Sequence, residues 1–483
     1  MKNDDNNNNQ KIQCDELTIN KYILNKEEEE EEEEGGGEDL LTMDQESMVQ
    51  QYYPVILEIG SRLIKAGFAG DAAPISTLQT NDPIMNFHIQ KPSKTNGDQS
   101  LNMASISLNG ASYALTAENH RSLSESILDP SIQLNATIDN FYKSDLIHKR
   151  WLFHDDFLLF QTLEPLQGSN TERLLEKIVS HIYNSDLLVD SKRCKVIIPV
   201  SIFLPDHIRR LIANVLLNYI HAQSLIFLPD SLLSILSAGT QNGLVVDLDW
   251  DMITISPVFD QKLLYKNIKT TTRGSGKQLH YAVLRQLLNN KQHVEGIDIN
   301  NKNEVFHFIE DLIHEVVYCK NLNDSYGNGN GDNDDNNVFS YKNNIKIPNR
   351  LRFQALESEF FPQITPKEID DDEIPLASLI IEVLDSLPID IRPVLSKRIM
   401  FTGFLSDIPG LKSRIMHELR SAGNAKYEAI ISLGSWTGAS LYCSTKLMAS
   451  SSIIKNQELV RDTYLETNKL IPGWIDQLYT LAQ

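Results

Sequence analysis

Apolar residues in this chain fall into two kinds of run. The short uninterrupted ones are Val55–Ile59, Ile64–Phe68, Lys195–Pro199, Leu244–Asp247, Ile253–Val258 and Ile399–Phe401. Their length and β-branched content predict strands. Elsewhere apolar residues recur at helical spacing: Leu175, Ile178, Val179 and Ile182; Ile208, Leu211, Ile212, Val215, Leu216 and Tyr219; Phe306, Ile309, Ile313 and Val316. Pro205 opens the second helix and Pro409 begins one after Phe401. Ser169 and Glu172 have capping-box spacing ahead of the first. Strands and helices alternate, which predicts an α/β architecture.

Two polar stretches interrupt this pattern. Residues 1–50 hold an Asn run, Asn6–Asn9, and a Glu run, Glu27–Glu34. They carry 4 Lys against 16 acidic residues, more than half of the net charge of −21. Such a segment cannot bury enough apolar surface to order itself, so it is expected to be a disordered acidic tail. Asn321–Asn344 is dense in Asn, Asp and Gly and is expected to be a disordered surface insertion. Its aspartates lack the spacing and closing Glu of a calcium loop.

Outside the tail, acids and bases nearly balance, and no basic cluster suited to direct nucleic-acid contact stands out. No apolar run is long enough to span a membrane. The four cysteines, Cys14, Cys194, Cys319 and Cys443, have neither metal-site nor disulfide spacing. They suggest reduced thiols and a cytosolic or nuclear setting.

Val55–Phe68 and Leu244–Val258 share one design: an apolar strand ending near an acid, a short turn, and a returning apolar strand. A strand-end acid can hold magnesium through water, and the N–H groups of a tight turn can cradle phosphate. Either hairpin alone is more often plain structure. The first, however, continues as Glu58–Pro74, whose Lys65–Asp71 stretch is distinctive. This segment resembles the phosphate-binding opening of actin and the actin-related proteins. Further resemblances follow in family order at Cys194–Pro205, Ile345–Phe353, Ile389–Arg392, Thr402–Phe404 and Ser435–Ser440.

The resemblance implies an actin-like fold, two RNase H-like lobes around a nucleotide cleft. The small lobe would comprise 51–242 and 431–483, with a divergent outer segment at 82–150, and the large lobe 243–430. It also implies ATP or ADP with magnesium as ligand. Glu58, Gly60, Ser61, Arg62, Lys65, Asp247, Gly403 and Trp436 would line the site, and Glu58 and Asp247 would flank the metal through water. Glu58 replaces the family's aspartate.

The departures from the family pattern point away from hydrolysis. Where actins have an aspartate flanked by glycines, this chain reads Asp247-Leu248-Asp249-Trp250-Asp251. Each added carboxylate would oppose a phosphate charge by about 2–4 kcal/mol at an effective dielectric near 20. Asp230 stands at the water-orienting glutamine, and a carboxylate there faces the γ-phosphate poorly. Arg62 and Phe404 replace glycines, and Ile313 and His314 replace a Lys–Glu pair in the adenosine pocket. No catalytic residue is assigned, and a pseudo-ATPase is expected.

Within the family, Gly434–Thr445 and the degenerate Asp247–Asp251 loop most resemble the fungal actin-related proteins at the pointed end of dynactin's short filament. That implies a cytoplasmic, cytoskeletal, filament-capping subunit. Its partners would be actin-like filament subunits and other dynactin pointed-end subunits, and indirectly dynein and microtubules. A nuclear actin-related subunit of a chromatin-remodelling complex and an active actin-like ATPase are the alternatives.

Overall fold

Val55, Ile56 and Leu57 are wholly buried because the strand carrying them is covered on both faces. The computed structural model describes residues 52–79, 141, 170–289, 301–320, 338–341, 345–362, 374–422, 426–444 and 458–470. The expectations for 1–50, for 82–150 apart from Phe141, and for 321–337 lie outside these residues.

In chain order the elements begin with β1 (Tyr53–Ile59), β2 (Leu63–Phe68), β3 (Ser76–Gln79), α1 (Asn170–His181), β4 (Cys194–Val200), α2 (Asp206–Asn214), β5 (Ser224–Pro229) and α3 (Asp230–Ser237). There follow β6 (Gly243–Leu248), β7 (Ile253–Phe259), β8 (Lys262–Leu263), β9 (Lys269–Thr271), α4 (Gly276–Asn289), α5 (Lys302–Asp311), β10 (Val338–Tyr341) and β11 (Ile345–Pro348). The remainder are α6 (Gln354–Phe360), α7 (Leu376–Ser386), α8 (Arg392–Ser396), β12 (Ile399–Thr402), α9 (Leu411–Ala422), α10 (Ser435–Tyr442), β13 (Leu459–Val460) and α11 (Arg461–Thr467).

These strands build two sheets on one plan. In the first, β1 pairs antiparallel with β2 and parallel with β4, and β5, β13 and β3 extend the sheet to the order β13-β5-β4-β1-β2-β3. In the second, β6 pairs antiparallel with β7 and parallel with β12, while β8 and β9 add to β7. Each sheet therefore presents one hairpin turn flanked by a parallel strand. α1 and α2 cover one face of the first sheet through Leu175, Ile178, Leu211 and Ile212, packed on Val55 and Leu57. α3 and α10 cover the other through Leu233, Trp436 and Ala439, packed on Ile56 and Ile197.

α3 also joins the two sheets. Its Ile235 packs with Val245 and Met400 of the second sheet. α10 lies close against α3 because Gly438 has no side chain; a Cβ there would stand 1.9 Å from the Leu233 carbonyl oxygen. Gly438→Val is therefore expected to cost more than about 3 kcal/mol in urea unfolding, since backbone, not a movable side chain, blocks the methyls.

Two expectations need correction. The insertion expected at 321–344 is not wholly irregular. Val338–Tyr341 is a strand paired with Ile345–Pro348, and Phe339 and Tyr341 pack on the second sheet's core. Alternating side chains and a neighbouring edge favour pairing there despite the polar flanks. Glu172 is buried and accepts a hydrogen bond from the Asn214 amide of α2, which places a tertiary contact at the expected capping-box position. Ser169 lies outside the described residues.

Candidate functional site

The turns of the two hairpins face each other across a cavity of about 510 Å³. Glu58, Lys65, Asp230, Asp247, Asp249 and Thr402 are among its walls. The pairing registers fix the first of these. Glu58 and Lys65 are cross-strand partners in β1 and β2, and the Lys65 ammonium donates to the Glu58 carboxylate at 3.0 Å. The Ser435 hydroxyl, at the start of α10, donates to the other Glu58 oxygen at 3.1 Å. On the opposite side Asp247 pairs in register with Thr402, whose hydroxyl donates to Asp247 Oδ1 at 2.9 Å.

Two glycines make close approaches. Gly60 donates its N–H to the Leu63 carbonyl at 2.9 Å and closes the first turn. Gly403 has φ of +86° and lies so near the end of β6 that a Cβ would come within 2.6 Å of the Leu248 carbonyl oxygen and 2.7 Å of Asp247 Oδ1.

The cavity is strongly acidic. Asp230, at the start of α3, has its carboxyl raised well above the ordinary value, by burial first and then by Asp247. Burial, then Asp249, pushes Asp247 up to about 7, against the lowering effect of Thr402. Asp251 is likewise pushed up to about 7 by burial and then Asp249. Among the described residues no three His, Cys, Asp or Glu side chains converge to hold a metal directly.

The two turns also bond to each other. The Ser61 hydroxyl donates to Asp251 at 2.8 Å across 190 residues of sequence. Beside it, the Arg62 guanidinium is engaged by residues of the second sheet's side. It pairs with Glu310 at the end of α5 and lies 4.4 Å from the centroid of the Trp250 ring and 5.0 Å from that of Phe404. Arg62 is 8% exposed, Glu310 2% and Trp250 1%. Burial lowers the Arg62 pKa to about 9, opposed in part by Asp311, so the cation persists at neutral pH. Trp250 and Phe404 meet edge to face at 5.9 Å, and the His314 ring packs the same way on Phe404. Burial, then Arg62, holds His280 well below its ordinary pKa, so a neutral imidazole lies against the Trp250 ring.

Glu58, Gly60, Ser61, Arg62, Lys65, Asp247 and Gly403 thus all line the cavity. The Arg62 side chain, expected among the residues lining the site, is committed to Glu310 and two rings. Trp436, expected to line the site, is instead 2% exposed and packs in the core with Ile56 and Leu233; Gly434 and Ser435 line the cavity in its place. The Ser435–Ser440 segment forms most of α10.

Sequence reasoning missed that Arg62, Trp250, Phe404 and His314 form one contact. The available signal was a new arginine and new aromatic residues at positions the resemblance places around a single cleft. As arranged, the donors Ser61, Arg62 and Lys65 all have protein acceptors, and four aspartates face the same space. This set does not fit the phosphate end of a metal–nucleotide complex.

The sequence model of the Actin family matches residues 169–459, more than half of the chain. A protein named Actin-like protein arp10, from Schizosaccharomyces pombe, is 22% identical over 288 residues, 52% of this chain and 73% of its own length. A protein named Actin-like protein ARP10, from Saccharomyces cerevisiae, is 28% identical over 100 residues, 21% of this chain and 35% of its own length.

Proposed function

The chain belongs to the actin family, and from that premise we propose that it is a non-catalytic subunit of dynactin. It caps the pointed end of the complex's actin-like filament and so supports dynein-driven transport along microtubules. The observation that carries the non-catalytic reading is the Ser61–Asp251 bond, which joins the two turns and commits to a protein carboxylate the hydroxyl that the resemblance assigns to phosphate. Members of the family generally bind nucleotide with magnesium. Here four aspartates crowd the cavity, and the resemblance puts Asp230 in the place of the family's water-orienting glutamine. Hydrolysis is therefore absent from the proposed role, although the cavity leaves room for a weakly held ligand.

The dynactin assignment rests on the resemblance of Gly434–Thr445 and Asp247–Asp251 to pointed-end actin-related proteins, and on similarity to the two fungal actin-like proteins. The proposed partners are the filament subunits and the other pointed-end subunits, in the cytoplasm. No helix among the described residues is long and apolar enough to cross a membrane. The proposed lobes are 51–242 with 431–483 and 243–430, a reading supported by the division of strands between two sheets.

Affinity purification of the full chain from its own cells tests the assignment. Dynein-adaptor subunits are expected to co-elute, and the eluted protein is expected to release no phosphate from ATP above background. Co-elution with chromatin ATPases would overturn the dynactin reading, and turnover abolished by Asp247→Ala would overturn the non-catalytic one.

A further inference from the structure

Three substitutions that look like separate losses, Arg62, Trp250 and Phe404, occupy one place with Glu310. Arg62 projects from the first sheet's hairpin turn, whereas its partners all belong to the second sheet's side. Trp250 lies in the β6–β7 turn, Glu310 at the end of α5, and Phe404 just beyond β12. One guanidinium nitrogen reaches Glu310, while Nε and Nη1 are buried without a hydrogen-bond acceptor beside the aromatic rings. A guanidinium is the cation best suited to such a socket, being planar, weakly hydrated and able to stack while it pairs. Trp250 is itself locked in place, because a Cβ on Gly276 at the start of α4 would stand 2.4 Å from its ring. Ser61, the neighbour of Arg62, adds the bond to Asp251. One tripeptide turn therefore makes two adjacent contacts across the cleft, one of them deeply buried.

We propose that Arg62 in its Trp250–Phe404–Glu310 socket is a built-in tie that holds the cleft closed with no ligand in it. The closed state then belongs to the folded chain and does not follow nucleotide supply. This inference goes beyond the assembly role and does not depend on which complex the protein joins.

Hydrogen exchange of the full chain, read by mass spectrometry at Gly60–Leu63 and Asp249–Met252, tests it. In the unaltered protein both turns are expected to be protected without ligand, and millimolar ATP with magnesium is expected to leave that protection unchanged. Arg62→Met keeps length and apolar contact but removes the charge. It is expected to raise exchange at Asp249–Met252, on the far side of the cleft, by about tenfold or more, while β4 and β5 stay protected. Glu310→Gln is expected to act in the same direction, and it decides the matter should Arg62→Met not fold. The double variant is expected to exchange less than the product of the two single effects predicts, because it leaves no buried charge unpaired. Unchanged exchange at Asp249–Met252 in the folded variants, or protection of the unaltered protein only when ATP and magnesium are present, would overturn the proposal.

Discussion

In the absence of metal and nucleotide, the melting temperature of this protein is expected to fall as pH rises from about 5 to about 8. Most proteins gain stability over the acid part of that range as carboxylates ionise into favourable native sites. Here the relevant carboxyls sit in unfavourable ones. Asp251 has an ordinary value of 3.8 and is pushed up to about 7 in the fold. Between those values the folded chain keeps a proton that the unfolded chain has released. The stability this group contributes is complete below about pH 4 and is lost as pH rises through about 7. At about 1.4 kcal/mol per unit, the shift sets an upper bound of about 4 kcal/mol. The true figure is smaller, because Asp251 is half-buried and the cavity beside it admits solvent. Asp247 and Asp230 move in the same direction. Asp249 and Glu58 face this group with like charge, while Lys65, Thr402 and Ser61 oppose the shifts in part. Asp251→Asn keeps an acceptor for the Ser61 hydroxyl and removes the charge. It should flatten the pH profile and raise the melting temperature at pH 8 by several degrees, at about 2–4 °C per kcal/mol for a domain of this size. Scanning fluorimetry in EDTA across pH 5–8 checks both points. A melting temperature that climbs steadily through the range, or a less stable Asp251→Asn protein at pH 8, would refute the expectation.

The same buried acids show how much of the molecule was legible in its sequence. The strands at Val55–Ile59, Lys195–Pro199, Leu244–Asp247 and Ile253–Val258 were readable because each is covered on both faces and so carries an unbroken apolar run. The two-residue β13 and three-residue β9 had no such signature, since their pairing comes from tertiary contact with β5 and β7. β10 was hidden by its Asn- and Gly-rich flanks. α10 was also obscure, because helices α3 and α10 press together through Gly438 and its apolar residues form no clean stripe. In the site, Glu58 and Lys65 followed from one hairpin's register, and Asp247 from the second. The Arg62 socket did not, because it joins residues from four distant segments. Viewed one at a time, each substitution was a lost glycine or a lost aspartate; only the fold shows that the added side chains fill one another's space.

Trp250→Asp, which restores the residue the family carries at that position, is expected to be among the most damaging single changes in the chain. Were Trp250 merely a decayed ligand position, an aspartate would be tolerated there and would improve metal or nucleotide affinity. The structure gives the indole a different role. It is 1% exposed, belongs to the second sheet's core with Leu248, Ile253 and Leu279, and touches Gly276, Phe404 and the Arg62 guanidinium. Removing a buried aromatic side chain of this size costs about 3–5 kcal/mol through lost burial and the cavity left behind. A carboxylate in its place adds the cost of a buried charge beside Asp249 and Asp251, offset only where Arg62 leaves Glu310 to reach it. The sum approaches the whole stability of an ordinary domain, so the variant is expected to lose its cooperative thermal transition or to fail to accumulate in soluble form. Trp250→Phe, which keeps a ring against Arg62, should cost about 1–2 kcal/mol and retain a single transition. Calorimetry of the two variants separates these readings. A soluble Trp250→Asp protein with an unchanged melting temperature and new magnesium–ATP affinity would mean that the indole is not needed by the core and that its position can still serve a ligand. A collapsed Trp250→Asp protein beside a folded Trp250→Phe protein would mean that the space once available to a ligand has become core.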